Sequence, residues 1–132
     1  MAQVAIIRLR TDQFDMPLVV RPGRPKAASA PNERGFSAYL GGQGGFASGY
    51  WECDPGELKL TNYPVDEFCN LFEGEIEIIA AHGESITVRG GDAFVIPRGF
   101  SGIWKIKSRA RKLFACAGGP QQVAAITGNS SD

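Results

Sequence analysis

Two side chains capable of acid–base or thiol chemistry stand two residues apart near the middle of the chain. Glu67 and Cys69 belong to the segment EFCNLFEG, which is typical of a β-strand, so both point to one face. If that face is an apolar interior, burial disfavours the carboxylate, raises its pKa and suits it to general acid or base catalysis. Glu67 is therefore the candidate catalytic residue. The structural alternative is that Glu67 pairs with an inward lysine or accepts a hydrogen bond from Tyr63. Lys59 is the predicted lysine partner, because it shares the alternation of Thr61 and Tyr63.

The other potentially reactive side chains carry weaker signals. A nucleophilic thiol needs a base or a positive neighbour, and a nearby Glu67 would instead raise the pKa of Cys69. We therefore expect Cys69 to be a small core residue. The single histidine, His82, lies in a predicted turn, where solvation is the usual outcome.

The three cysteines, Cys53, Cys69 and Cys116, are an odd number and widely spaced. They indicate neither a disulfide framework nor a zinc site of the Cys-x-x-Cys type. This pattern predicts reduced thiols and a cytoplasmic protein.

The elements that must position these residues alternate with period two from residue 46 to 116. Short segments rich in Val, Ile, Phe, Trp and Tyr are separated by turn signals such as Asp54-Pro55-Gly56, Glu73-Gly74 and Gly90-Gly91. Several such strands at roughly ten-residue spacing predict an all-β sandwich or barrel.

The remainder of the chain divides into an N-terminal part and a tail. A β-branched run predicts a strand over residues 3–9, three prolines predict an irregular arm over 21–35, and GGQGG at 41–45 predicts a hairpin or linker. We therefore expect an N-terminal strand and Pro/Gly-rich arm packing on the barrel over residues 1–45. The barrel itself is predicted over 46–126, and a frayed tail over 127–132.

Composition and charge exclude several classes of protein. The length of 132 residues fits one domain, and 14 basic against 14 acidic residues argue against a nucleic-acid-coating protein. No apolar run approaches a membrane span, and the N-terminus lacks the features of a signal peptide. Residues 52–92 hold ten acidic and two basic residues, which we expect to form ion pairs with basic residues on neighbouring strands. The alternative is a basic face for an anionic ligand, built from Lys105, Lys107, Arg109, Arg111 and Lys112.

Two spacings within the barrel segment resemble those of a known family. Residues 91–99, GDAFVIPRG, fit the second cupin motif of Gly, five residues, Pro, any residue and Gly. Residues 67–74, EFCNLFEG, fit the end of the first motif, and Pro55-Gly56 stands where that motif opens. With Trp51, Gly102-Ile103-Trp104 and Arg111-Lys112-Leu113, residues 46–116 resemble the cupin subfamily of ureidoglycine aminohydrolases and an ethanolamine-utilisation protein. The resemblance implies a single-domain, RmlC-like antiparallel β-barrel or jelly roll whose inward residues line a pocket.

The resemblance also implies a metal held by two histidines and a glutamate from the first motif and one histidine from the second. Glu67 matches the glutamate. The two histidine positions fall on Thr61 and Tyr63 in one register, or on Asn62 and Pro64 in the other, and the last falls on Gly102. Because three of four ligands are missing, we expect no cofactor. Glu67 and Cys69 are left as weak candidate ligands for a divalent metal.

The predicted pocket combines the residues that alternation and resemblance direct inward. Trp104 and Trp51 either fill the core or form aromatic walls for a planar or sugar-like ligand. Gly102 is expected to leave open the space of the missing histidine. The full set is Trp51, Lys59, Thr61, Tyr63, Glu67, Cys69, Gly102 and Trp104.

Three functions follow from this set, and the sequence does not decide whether the protein is an enzyme. The first is binding of a small polar metabolite in the barrel without a conventional metal. The second is a metal-dependent aminohydrolase-like activity, and the third is a non-catalytic structural or regulatory role. The expected partners are a small-molecule ligand and, through the N-terminal arm, a second copy in a homodimer, with no nucleic acid and no membrane.

Overall fold

The structure, a computed structural model, describes residues 4–11, 19–20 and 30–127. A short 3-10 turn, Gly42–Gly44, joins the second strand to the third. The regular elements are β1 Val19–Val20, β2 Glu33–Gly41, β3 Phe46–Cys53, β4 Gly56–Leu60, β5 Asp66–Ala80, β6 Ser85–Arg89, β7 Ala93–Ile96, β8 Gly102–Ala117 and α1 Pro120–Thr127.

The strands form two antiparallel sheets that share the long strands β5 and β8. In the first sheet the order is β1-β2-β3-β8-β5-β7, using the beginning of β5 and the end of β8. In the second the order is β4-β8-β5-β6, using the end of β5 and the beginning of β8. This is the all-β architecture that the period-two alternation predicts, in the jelly-roll form that the cupin resemblance implies.

Strand β5 passes from one sheet to the other at Gly74. The backbone there has a φ of 100°, a conformation that favours glycine, and the pairing with β8 is irregular between Leu71 and Ile76. A Cβ atom at Gly74 would lie 2.4 Å from the carbonyl oxygen of Arg109. The Glu73-Gly74 signal is therefore a bend inside one continuous strand, whereas the sequence predicts a turn between two.

Alternation along β8 separates an inner apolar face from an outer charged one. Trp104, Ile106, Ala110, Phe114 and Cys116 point inward and are buried. On the outer face, acidic residues of the 52–92 segment pair with basic residues of β8: Lys107 with Glu77 at 3.5 Å, Arg109 with Glu73 at 3.1 Å and Arg111 with Glu52 at 3.6 Å.

These ion pairs confirm the expected interleaving of charges and contradict the alternative of a single basic face. Three of the five basic residues of that face pair with acids on the outer surface, and Lys112 lies in the interior with 3% of its surface exposed. Lys112 shares the inward alternation of Trp104 and Phe114, which is why it cannot lie beside Arg111 on the outer surface.

The N-terminal region differs from the sequence prediction. Residues 4–10 form no strand, and residue 3 lies outside the described residues. A strand needs a partner, and residues 4–10 pair with no strand in the described part of the chain; Val4 and Ile6 are 96% and 100% exposed. Strand β2 begins at Glu33, inside the predicted irregular arm of 21–35, of which 21–29 lie outside the described residues. The predicted hairpin at 41–45 is confirmed.

The helix α1 is absent from the sequence prediction. Pro120 begins it, after Gly118 and Gly119, and Val123 and Ile126, three residues apart, bury its apolar side against the core. Thr127, predicted in the tail, is its last residue, and residues 128–132 lie outside the described range. In the part of the chain that the structure describes, no helix is long and apolar enough to span a membrane.

Candidate functional site

A cluster of four polar side chains lies inside the barrel, centred on the carboxylate of Glu67. Glu67 on β5 is 1% exposed and accepts a hydrogen bond from the ammonium of Lys112 on the neighbouring strand β8, with Nζ 2.6 Å from Oε2. The hydroxyl of Tyr63 donates to the other carboxylate oxygen. The thiol of Cys69 donates to Oε2 at 3.3 Å. The carboxylate therefore exchanges its water shell for three protein donors, which offsets the cost of burying its charge.

The ammonium of Lys112 is enclosed by aromatic rings as well as by the carboxylate. Nζ lies 4.6 Å from the centre of the Trp51 ring and 4.7 Å from that of Trp104. It also lies 3.3 Å from the sulfur of Cys69. The negative faces of both indoles attract the cation, so the two tryptophans add to the compensation that Glu67 provides.

The two tryptophans pack edge to face, with ring centres 5.8 Å apart, but their N–H groups differ. The indole N–H of Trp51 donates to the Glu33 carboxylate at 2.9 Å. The indole N–H of Trp104 is buried and has no hydrogen-bond partner among the described residues. A buried donor without an acceptor costs about 1–3 kcal/mol, so this atom marks a place where an acceptor is missing.

The environment of Cys69 keeps its thiol protonated at neutral pH. Burial raises the pKa of the thiol well above its ordinary value; Lys112 opposes this shift and Glu67 adds to it. The direction is the one expected from the sequence, although burial is a larger cause than the carboxylate. A protonated thiol is a poor nucleophile, which fits the expectation of a small core residue.

An apolar cavity of about 250 Å³ opens at the barrel mouth, between strands β6 and β7. Its walls include buried Ile78 and Ile96 and half-exposed Ile86. The complete lining is Ile78, Ala80, His82, Glu84, Ser85, Ile86, Val95, Ile96, Pro97 and Phe100. Ile78 stands directly opposite Trp104 in the pairing of β5 with β8, and Ile96 stands opposite Glu67 in the pairing of β5 with β7. The cavity therefore ends on residues that are the immediate neighbours of the polar cluster.

A second, more polar cavity of about 590 Å³ is lined in part by Tyr63. Tyr63 belongs to both features, because it lines this cavity and its hydroxyl binds Glu67. The complete lining is Asn62, Tyr63, Pro64, Arg98, Gly99, Gly119 and Gln122.

Comparison with known proteins identifies the fold family. Residues 40–114, more than half of the chain, match the model of the EutQ-like cupin domain. The chain belongs to the EutQ-like cupin family. This agrees with the resemblance drawn from the Gly91–Gly99 and Glu67–Gly74 spacings.

Solved structures similar to this cupin share its fold at low sequence identity. EutQ from Clostridium difficile is 17% identical with a TM-score of 0.59, covering 67% of this chain and 69% of its own. A putative ethanolamine utilization protein Q from Salmonella typhimurium LT2 is 23% identical with a TM-score of 0.57, covering 65% and 69%. A DUF861-family protein of unknown function from Pseudomonas syringae is 23% identical with a TM-score of 0.65, covering 78% and 45%. No curated protein matches the chain.

The residues of this cupin do not fit the metal that the wider family implies. The carboxylate oxygen of Glu67 is bound by the Lys112 ammonium at 2.6 Å, and a second cation there would be repelled. Cys69 is held as a thiol, whereas a metal needs the thiolate. Within residues 4–11, 19–20 and 30–127, no three His, Cys, Asp or Glu side chains are grouped to hold an ion.

The structure brings five of the eight predicted pocket residues together: Trp51, Tyr63, Glu67, Cys69 and Trp104. Both structural alternatives for Glu67 are confirmed, since the Tyr63 hydroxyl donates to it and an inward lysine, Lys112 rather than Lys59, pairs with it. Because Glu67 faces an ammonium and a hydroxyl, its surroundings are not the apolar ones assumed in the prediction of a raised pKa.

Lys59 and Thr61 are exposed, so the predicted pairing of Lys59 with Glu67 is wrong. Strand β4 ends at Leu60, and Asn62 adopts a left-handed conformation with φ of 48°. The alternation that linked Lys59 to Tyr63 therefore stops at this turn, and only Tyr63 reaches the interior.

The prediction that Gly102 leaves open the space of a histidine is also wrong. A Cβ atom at Gly102 would lie 2.2 Å from the carbonyl oxygen of Ile79 and 2.7 Å from a ring atom of Phe100. The glycine is needed because β8 approaches the backbone of β5 closely, and no room for a side chain exists there.

Lys112 lies in the interior as part of the site, whereas the sequence prediction includes it only in a basic outer face. Its signal was present: Ala110, Lys112, Phe114 and Cys116 alternate with charged or less buried neighbours. Grouping Lys112 with the basic residues around it hid that alternation. His82, by contrast, is exposed in the turn after β5, where the sequence places it, and pairs with Glu84 at 3.2 Å.

Proposed function

We propose that this cupin binds a small polar organic molecule in its barrel and does so without a metal ion. The observation that carries the proposal is the Lys112 ammonium 2.6 Å from Glu67, with both side chains almost fully buried. An internal cation thus binds the one carboxylate that the family resemblance assigns to a metal.

The cost of the cluster supports a functional role. A buried ion pair contributes little net stability compared with apolar side chains of the same volume. Clusters of buried charged groups beside a cavity are more typical of binding and catalytic sites than of cores. Here the cluster has two aromatic walls, and the apolar cavity at the barrel mouth reaches its neighbours.

The aminohydrolase-like alternative requires a metal, and the donors around Glu67 do not fit one. The purely structural alternative predicts that no small molecule binds. A ligand screen distinguishes the three functions, because the proposal predicts binding without metal, the aminohydrolase alternative predicts binding only with metal, and the structural alternative predicts no binding.

A thermal-shift screen of small neutral, cationic and anionic metabolites at about 10 mM, with and without chelator, tests the proposal. A compound present at ten times its Kd adds about 1.4 kcal/mol, which raises the Tm by roughly 5 °C in a domain of this size. We expect a chelator-independent shift for at least one chemical class. Glu67→Gln should lose that shift, while Glu57→Gln, an exposed carboxylate, should keep it.

Two results contradict this proposal. One is the absence of a shift for every class tested. The other is a shift that appears only with added metal, which would favour the aminohydrolase alternative.

We also propose that the protein forms a homodimer in which the N-terminal segment of one copy covers the other. Val4 and Ile6 are almost fully exposed, and the outer face of the first sheet exposes Phe68 and Val95, which are direct neighbours on β5 and β7. An exposed apolar segment and an exposed apolar patch on the same chain are complementary in a second copy.

Light scattering on the protein as it elutes from a size-exclusion column measures its mass in solution, and hence its oligomeric state. We expect a mass near twice 14.2 kDa, and a shift towards the monomer in Ile6→Asp but not in Thr11→Asp. A monomer mass for the unsubstituted protein would contradict the dimer.

The cytoplasmic location stays a prediction. The three free, buried cysteines support it, because reduced thiols are typical of cytoplasmic proteins.

A further inference from the structure

We propose that the ligand of this cupin is a neutral molecule with a compact apolar body and a carbonyl oxygen, and that this oxygen accepts a hydrogen bond from the indole N–H of Trp104. The inference rests on the proposed binding function and specifies the chemical class that the site takes.

The unpaired indole supplies the polar contact. Trp104 is 3% exposed, and its Nε1 atom has no acceptor within the described residues. Its ring is fixed by edge-to-face contacts with Trp51 at 5.8 Å and Phe94 at 5.9 Å, so the N–H is oriented before a ligand arrives. A site built around a buried donor selects molecules that carry an acceptor, because a molecule lacking one leaves the donor unsatisfied.

The charge balance of the interior favours a neutral acceptor. Glu67 and Lys112 neutralise each other at 2.6 Å, and the ammonium already contacts Cys69 and both indole rings. A carboxylate ligand would add a second buried negative charge with no cation of its own to pair with in this cluster. Burying an uncompensated charge costs far more than burying a carbonyl that receives a hydrogen bond.

The cavity at the barrel mouth sets the size and polarity of the body. Its volume of about 250 Å³ is below the roughly 300–1,000 Å³ of sites for drug-sized ligands. Buried Ile78 and Ile96 and the half-exposed Ile86 supply apolar walls, and His82, Glu84 and Ser85 form a polar rim whose Glu84 carboxylate also disfavours an anion. Ile78 is the direct neighbour of Trp104 across β5 and β8. A short branched aliphatic group of the ligand fits the cavity. Trp104 does not itself line the cavity, so the carbonyl reaches the indole N–H when the side chain of Ile78, its neighbour across β5 and β8, turns aside.

A matched pair of probes tests this class by NMR: 2-methylpropanamide and 2-methylpropanoate, which share a shape and differ in charge. The chain has only two tryptophans, so its two indole N–H cross-peaks are assigned by Trp51→Phe and Trp104→Phe. Fragments of this size bind in the millimolar range, so both are titrated to about 50 mM. We expect the amide to move the Trp104 indole proton downfield in a saturable way, while the Trp51 indole, already bonded to Glu33, stays in place.

The outcomes separate this inference from the proposed function. Saturable movement of the Trp104 cross-peak with the carboxylate, equal to or stronger than with the amide, overturns the neutral class and leaves binding intact. No saturable change with either probe, at the indoles or at the amides of Ile78 and Ile96, overturns the neutral class, while the proposed function is overturned only if the thermal-shift screen also finds no ligand. If Trp104→Phe folds, its affinity for the amide should fall about 3–10-fold, the value of one neutral hydrogen bond; an unchanged affinity also overturns the inference.

Discussion

Replacing Lys112 with methionine is expected to lower the free energy of unfolding by about 3–5 kcal/mol. Methionine retains most of the aliphatic length of lysine and removes the ammonium, which leaves the Glu67 carboxylate buried at 1% exposure without its cation. The Tyr63 hydroxyl and the Cys69 thiol still donate to the carboxylate, but neither carries charge. Urea unfolding followed by tryptophan fluorescence measures the change.

Two further variants give this result its meaning. Lys107→Met removes a lysine of the same strand that pairs with Glu77 on the outer surface, and it should cost no more than about 1 kcal/mol. The double variant Lys112→Met with Glu67→Leu removes both charges and should recover most of the loss, because no buried charge remains. Loss of less than about 1 kcal/mol in Lys112→Met, or no recovery in the double variant, would contradict the interior ion pair.

Replacing Gly102 with alanine is expected to cost about 3 kcal/mol. The added methyl group would lie 2.2 Å from the Ile79 carbonyl oxygen, so the β5–β8 pairing must separate to admit it. Thermal and urea unfolding measure the loss.

Gly119→Ala is the matched control for the position. The nearest atom to its added methyl is the flexible end of the Gln122 side chain, which can move aside, so its cost should stay near or below 1 kcal/mol. Equal stability of Gly102→Ala and the unsubstituted protein would mean that the position is open after all.

The fold could be predicted from the sequence because its two determinants are local. Alternation from residue 46 onwards and the turn signals define the strands, and the resemblance of two spacings to the cupin motifs implies the barrel that they form. The inward direction of Glu67 and Cys69 follows from alternation within one strand, and the structure shows it. The bend at Gly74 was less accessible, because a glycine after a glutamate indicates a turn and a strand bend equally well.

The composition of the site could be predicted only where alternation remained unbroken. The turn at Asn62 interrupts it, which is why Lys59 appears inward in the sequence and is exposed in the structure. The partner of Glu67 comes from β8, 45 residues further along the chain, and no local pattern gives that pairing. The unpaired N–H of Trp104 depends on the packing of two sheets and has no signal in the sequence at all.

The central claim is that the Lys112 ammonium binds the Glu67 carboxylate at the position where the cupin resemblance implies a metal ion. The metal content of the protein tests this claim most directly. The untagged protein, purified without chelator, is compared by elemental analysis with Glu67→Gln. We expect transition-metal content far below one ion per chain in both, because Lys112 binds the Glu67 carboxylate at 2.6 Å and Cys69 stays protonated. One equivalent of metal in the unsubstituted protein, lost in Glu67→Gln, would contradict the account.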